Sequence, residues 1–184
     1  MKYCSQCGKP VSQKVPEGDN RLRYVCDECE HIHYQNPRII AGCLPILEEK
    51  VLLCKRAIEP RAGYWTLPAG FLENGETTAM GALRETREEA NANVEIIDIY
   101  TMFSLPHISQ VYLFYRARLI DTDFSAGVES TDVRLFSEHE IPWDQLAFPV
   151  ITQTLRHFFS DRGSDTFPVR SLDIIVDRNR KPLA

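Results

Sequence analysis

Two pairs of cysteines near the start of the chain constrain its folding more than any other feature. Cys4 and Cys7 are separated by two residues, as are Cys26 and Cys29, and eighteen residues lie between the pairs. A two-residue gap lets both thiolates of a knuckle reach one ion, and two knuckles close a tetrahedral four-cysteine zinc site. The competing reading is a pair of redox-active Cys-x-x-Cys motifs. Those sit where a strand runs into a helix, and the residues around these cysteines have no such pattern. His31 and His33 follow closely enough to act as replacement ligands, yet four cysteines already complete a shell. A segment this short cannot bury enough apolar surface to fold unaided, so metal would supply its stability. The expectation is a structural zinc ribbon over 1–36, ended by the Asn-Pro break in "YQNPR".

Beyond the ribbon the pattern is that of a globular domain, expected over 37–160. "RIIAGCLPIL" (38–47) and "VLLCKR" (51–56) read as strands joined by a charged turn. "WTLPAG" is short and extended, "VEIIDIY" (94–100) and "VYLFYRARL" (111–119) are strands, and "DVRLFS" (132–137) is another. Helices are expected over 77–90 and within "FPVITQTLRHFF" (148–159). Residues 161–184 read as a polar tail with one short apolar run, "LDIIV". The predicted class is α+β. Cys43 and Cys54 fall among aliphatic residues on predicted strands and read as buried structural cysteines.

The chain of 184 residues has no apolar run long enough to cross a membrane, and its first residues lack the apolar core of a signal peptide. A cytoplasmic location is the expectation. A net charge of −5 argues against a nucleic-acid partner, which usually meets a basic patch. An anionic substrate stays open, because bound divalent cations invert a local field.

The stretch "RETREEA" (84–90) crowds Glu85, Glu88 and Glu89 at positions i, i+3 and i+4 of the predicted helix. Taken alone this is a wet acidic face, on which like charges cost only a few tenths of a kcal/mol. The buried stripe is expected at Ala79, Leu83, Thr86 and Ala90, with the glutamates on the other side and Arg84 and Arg87 at the edges.

Read together with Gly70 and Glu76, the spacing changes that picture. Gly70, five residues, Glu76, seven residues, Arg84-Glu85, one residue, Arg87, Glu88-Glu89 resembles the signature of the Nudix hydrolases. The close resemblance covers 23 residues, and the strand order extends it over roughly 37–160. Two positions depart: Thr86 stands where an apolar residue is usual, and Asn91 where a glycine closes the motif. Neither removes a charged group, and asparagine tolerates the left-handed conformation that ends a helix.

The resemblance implies a mixed-sheet sandwich with flanking helices. It implies that Glu85, Glu88 and Glu89 bind Mg²⁺ or Mn²⁺ together with the Gly70 carbonyl, and that Arg84 pairs with Glu76 as a structural brace. The physics agrees: two carboxylates about 6 Å apart at an effective dielectric of 20 repel by roughly 3 kcal/mol, which a cation would relieve. The catalytic base varies within the superfamily, and Glu129, just before a strand, stands where relatives often carry one. The expected reaction is attack of water on a phosphorus of a diphosphate.

A four-cysteine ribbon ahead of such a domain resembles the NADH pyrophosphatase group, but this chain has "SLPHIS" (104–109) where that group carries "SQPWPFPxS". The remaining motifs look more like bacterial and plastid members assigned to ADP-ribose or FAD. Trp65, Phe71 and Phe103, the last on a loop after a strand, are the candidate substrate-binding aromatics. The predicted partner is a small-molecule nucleotide, with nucleic acid unlikely and the ribbon a candidate contact for a homodimer. Two other classes compete: a zinc-ribbon protein acting at RNA ends, and a nucleotide sensor without catalysis, although sensors tend to lose the glutamates that this chain keeps.

Overall fold

The computed structural model describes residues 1–164 and 166–175. It divides into two compact units, Met1–Pro37 and the chain from Arg38 onward. The first holds an antiparallel sheet of three short strands in sequence order, β1 (Val11–Lys14), β2 (Arg23–Cys26) and β3 (Ile32–His33). All four ribbon sulfurs lie within 4.8 Å of one another, with Cys4 Sγ 3.7 Å from Cys29 Sγ and Cys7 Sγ 3.4 Å from Cys26 Sγ. Tetrahedral ligation at a Zn–S length of about 2.3 Å demands sulfurs roughly 3.8 Å apart, so the cluster fits zinc. Backbone N–H groups of Gln6 and Cys29 donate to Cys4 Sγ and Cys26 Sγ, both at 3.4 Å. The buried His33 ring places Nε2 3.3 Å from Cys4 Sγ, a hydrogen-bond partner of the cysteine shell rather than a fifth member.

The second unit begins with β4 (Arg38–Leu47) and β5 (Lys50–Arg56), then two short strands, β6 (Trp65–Thr66) and β7 (Ala69–Phe71). Helix α1 (Thr78–Ala90) follows, then β8 (Val94–Leu105), β9 (Gln110–Leu119), β10 (Ser130–Phe136), α2 (Pro149–Asp161) and β11 (Arg170–Asp173). The sheet runs β10-β5-β4-β9-β8-β11, with β6 on β5 and β7 on β4. Pairings β4–β9 and β8–β11 are parallel and the others antiparallel, so the sheet is mixed.

Alternation along the strands divides the core between the two faces. On β5, Val51 and Leu53 join a large cluster with Leu44, Tyr100, Phe103 and Phe114, and α2 covers it with Val150, Ile151, Leu155 and Phe158. Leu52 and Cys54, between them, face the other way with Ala90 and Leu119. Beside them Ala41, Cys43 and Ala117 meet Ala82 of α1. Burial raises the Cys43 thiol to about 11 and pushes Cys54 up as well, so both stay protonated and inert.

Two expectations from the sequence are corrected here. The third long strand does not end at Tyr100. Residues Thr101, Phe103 and Leu105 continue the buried side of a period-2 pattern, and β8 runs to Leu105. The tail is not wholly apart from the domain either. Strand β11 adds to the sheet edge with Arg170 opposite Thr101 and Asp173 opposite Ser104. Its anchor is polar and therefore invisible to hydropathy: Asp161, at the end of α2, accepts from the Tyr100 hydroxyl at 2.7 Å and is paired with the Arg170 guanidinium. The rest of that tail, residues 165 and 176–184, lies outside the described residues. Among the described residues no helix is long and apolar enough to cross a membrane.

Removing Asp161 would leave a buried hydroxyl and a mostly buried guanidinium without their shared acceptor. Asp161→Ala is expected to cost about 2 kcal/mol in denaturant unfolding, of the size found for stranded polar groups. A loss below about 0.5 kcal/mol, typical of an indifferent surface site, would contradict this anchoring.

Candidate active site

Helix α1 is fastened at both ends. The Thr77 side chain accepts from the Met80 N–H, and Asn91 closes the helix in the left-handed region at φ 47°, its N–H donating to Arg87 O. The face it buries differs from the expected one. Leu83 is exposed and Ala79 only half-buried, whereas Gly81, Ala82, Thr86, Glu89 and Ala90 are buried. The sheet surface under the helix is made of small side chains, so the close-packing face must be small too, and bulky Leu83 is turned out. Thr86 suits this site because its Oγ1 donates to Ala82 O at 2.8 Å, leaving no buried hydroxyl unpaired. The rotation carries Glu89 into the interior and half-buries Glu85, while Glu88 stays exposed.

These carboxylates are held at known places. A Cβ on Gly70 would sit 2.3 Å from the Glu85 carboxyl, so a larger residue there would push that carboxyl out of its present place. Glu89 Oε2 accepts from the Ala69 N–H at 3.3 Å. Arg84 spans the group: Nε and Nη2 make a fork onto Glu76 at 3.1 and 2.7 Å, and Nη1 reaches Glu85 at 2.6 Å and Glu88 at 3.1 Å. Glu129 arrives from a loop tied to the end of α1. Gly127 N–H donates to Glu89 O, Ser125 N–H to Ala90 O, and the Asn91 side-chain amide to Ser125 Oγ. A Cβ on Gly127 would lie 1.7 Å from Glu88 O, so that contact requires glycine.

Burial pushes the Glu89 carboxyl up to about 8, helped by the charges of Glu85 and Glu129 and opposed by the Ala69 N–H and by Arg56. Burial raises Glu85 as well, against the pull of Arg84. Glu76 goes the other way, to about 2, because the Arg84 fork and the Glu73 N–H stabilise its charge. Glu85, Glu88 and Glu89 offer hard oxygen donors, a chemistry suited to Mg²⁺ or Mn²⁺ rather than to a soft ion, although among the described residues only the cysteine sulfurs lie gathered as a ready metal cluster. The residues present therefore fit such a cation, which would compete with Arg84 Nη1 for Glu85 and Glu88.

Gly70, Glu85, Glu88, Glu89 and Glu129 all line one cavity of about 1220 Å³. Phe71 borders it with an exposed ring, and the Arg38 guanidinium lies 4.9 Å from that ring's centre. Trp65 and Phe103 do not border it. Trp65 is buried edge-on against Phe136 and Phe103 is fully buried, so neither offers a face for stacking. Aromaticity alone does not make them platforms, because strand alternation points each to the α2 side of the sheet. Residues overlooked in the sequence also border the cavity, among them Arg38, Arg56, Tyr112, Phe148 and Ile174. The sequence offers only a positional hint: Lys55 and Arg56 follow an apolar run at a strand end.

With this geometry in view, comparison with known proteins decides the family. Residues 2–35 match the Nudix N-terminal zinc-ribbon model, and residues 36–158 match the NUDIX domain. The chain belongs to the Nudix hydrolases. It is 30% identical over 172 residues to the NAD-capped RNA hydrolase NudC of Vibrio vulnificus, a match covering 88% of this chain and 62% of that protein. It is 26% identical to the ADP-ribose pyrophosphatase of Methanocaldococcus jannaschii, over 77% of this chain and 80% of that protein. A crystal structure of a NUDIX hydrolase from Nitrosomonas europaea superposes with a TM-score of 0.92 at 56% identity, covering 95% of this chain and 99% of the other. This establishes the α+β Nudix fold behind a zinc ribbon. It also removes the support for setting nucleic acid aside on net charge, because a relative's name denotes a hydrolase of capped RNA.

Burial of Glu89 has a pH signature. Its folded pKa, near 8, lies above the ordinary value of 4.5, so the native state binds more protons than the unfolded chain between those limits. Stability is then full below about pH 4.5 and falls as pH rises towards 8. For the metal-free protein the melting temperature should drop across that window, and millimolar Mg²⁺ or Glu89→Gln should flatten the drop. A metal-free profile that rises through the window, or one unchanged by Glu89→Gln, would contradict the assignment.

Proposed function

We propose that this protein hydrolyses the pyrophosphate bond of a nucleoside diphosphate linked to a second group, the class that includes ADP-ribose, FAD and NAD(H), and releases AMP. The observation that carries this reading is the cavity. At about 1220 Å³ it exceeds the usual range for a single small ligand, and besides the carboxylates its lining holds two pairs of an arginine with an aromatic ring. Arg38 lies over Phe71 and Arg56 lies over Phe148. A diphosphate with a group at each end matches that arrangement better than a triphosphate with one. The names of the relatives point the same way, since ADP-ribose and an NAD cap both contain a diphosphate between two groups.

Glu85, Glu88, Glu89 and the Gly70 carbonyl would hold Mg²⁺ or Mn²⁺. When bound, such an ion neutralises charge developing on the phosphoryl oxygens and lowers the pKa of water. Glu129, exposed beside the cavity and fixed by the Gly127 contact, takes the proton from the attacking water. The water oxygen bonds to one phosphorus, the bridging P–O bond breaks, and the second phosphate leaves with its own group as a monophosphate. Arg84 and Glu76 hold the β7 turn against the helix, so their loss would loosen the carboxylates without removing a ligand.

Product chromatography on an equal-concentration panel tests this. The panel holds ADP-ribose, FAD, NAD(H), an NAD-capped RNA and the eight common nucleoside triphosphates, with Mg²⁺ or Mn²⁺. AMP, or an RNA with a 5′-monophosphate, is expected from at least one diphosphate-linked substrate. Pyrophosphate from triphosphates, with no cleavage of any two-ended substrate, would overturn the substrate class and leave the hydrolase chemistry standing.

A further inference from the structure

Among the described residues two arginines of the cavity, Arg38 and Arg56, take part in no ion pair, and of the two only Arg56 is fixed by a side-chain hydrogen bond. Arg56 ends β5, is half-buried and borders the cavity. Its Nε donates to Pro60 O at 2.9 Å, and its guanidinium lies 5.4 Å from the centre of the Phe148 ring. The backbone beneath is pinned on both sides, with Arg56 N–H donating to Tyr64 O and Gly63 N–H to Arg56 O. Among the described residues Arg56 takes part in no ion pair, and its terminal nitrogens have no protein acceptor. Yet Glu89 and Glu129 border the same cavity.

Arg84 makes the contrast. It is in the same cavity and spends its donors on three glutamates and the Phe71 carbonyl. Arg56 is held by a carbonyl and an aromatic face and forms no ion pair with the carboxylates, although its charge acts on Glu89, so its terminal N–H groups are left over. Guanidinium is the side chain best matched to two oxygens of one phosphate, and an orientation set in advance loses little freedom on binding. A fixed, half-desolvated cation with spare donors beside a carboxylate cluster calls for an anion that arrives with the ligand.

We propose that Arg56 binds a phosphate of the substrate's diphosphate through a two-pronged contact to its non-bridging oxygens. The assignment rests on the diphosphate reading of the site. It makes Arg56 a recognition residue for what all substrates of the class share, while the aromatic rings bear on the groups at the two ends. Loss of Arg56 should therefore weaken every two-ended substrate by a similar factor, without changing their order of preference.

The test is calorimetric binding of methylenediphosphonate, which cannot be hydrolysed at its bridge, to the full chain in the presence of Mg²⁺. Wild type, Arg56→Gln and Arg56→Lys are compared, with Mn²⁺ binding measured separately for each. The expected result is at least tenfold weaker diphosphonate binding for Arg56→Gln and an intermediate loss for Arg56→Lys, with Mn²⁺ affinity unchanged in both. Diphosphonate binding equal to wild type in Arg56→Gln would overturn the assignment, as would an equal loss of Mn²⁺ and diphosphonate, which would make Arg56 a support of the carboxylates. If Arg56→Gln melts well below wild type, Arg56→Lys decides: full wild-type affinity in it excludes the two-pronged contact. Wild-type protein that binds no diphosphonate overturns the diphosphate reading and this assignment together, a result distinct from wild type and variants binding alike.

Discussion

The structure depends on a carboxylate packed where a helix meets a sheet. Glu89 lies on the buried face of α1 among alanines, glycine and threonine, and its charge is opposed by burial and by its neighbours. A chain that sought only stability would put an apolar residue there, since an isolated buried charge costs several kcal/mol. Under the proposal that Glu89 ligates a cation, the cost has a purpose. What surrounds it limits that cost: the Ala69 N–H donates to it, and Arg84 neutralises Glu85 and Glu88 nearby.

Much of the fold follows from bringing α1 close enough. Ala41, Cys43 and Ala117 present a low surface, Gly70 leaves the Glu85 carboxyl in its place, and Gly127 lets the Glu129 loop lie on the last turn of the helix. Asn91 serves two purposes at that turn. It adopts the left-handed conformation that ends the helix, and its side-chain amide grips Ser125, which a glycine could not do. On the other side of the sheet the bulky residues collect under α2, so the unit is asymmetric: a large aromatic core behind, and a thin, close-packed layer beneath the carboxylates.

What could be read from the sequence is what local spacing encodes. The cysteine pairs spell out a four-sulfur cluster whose sulfurs do lie together. The first long strand was expected over the residues of β4, and α1 begins and ends within one residue of its expected limits. Gly70 and the box glutamates come from different elements, and the resemblance to the Nudix signature is what associates them. Features set by partners distant in sequence were not legible. The buried face of α1 depends on how small the sheet surface is, and side-chain hydropathy placed Leu83 inside. Strand β11 is held by Asp161, Tyr100 and Arg170, polar residues that no periodicity reveals. Trp65 and Phe103 were chosen as aromatic faces, but strand alternation turns both into the core, and the arginines of the cavity, Arg38 and Arg56, went unnoticed.

We propose that Glu89, Glu85 and the Gly70 carbonyl hold one divalent cation at the helix–sheet junction. Crystals soaked in Mn²⁺ and measured at the manganese absorption edge test it directly. The expected result is an anomalous peak about 2.1 Å from a Glu89 carboxylate oxygen, the distance typical of a hard divalent ion, and in contact with the Gly70 carbonyl oxygen. Peaks confined to exposed acidic groups elsewhere, with Glu89 still bonded only to the Ala69 N–H, would contradict it.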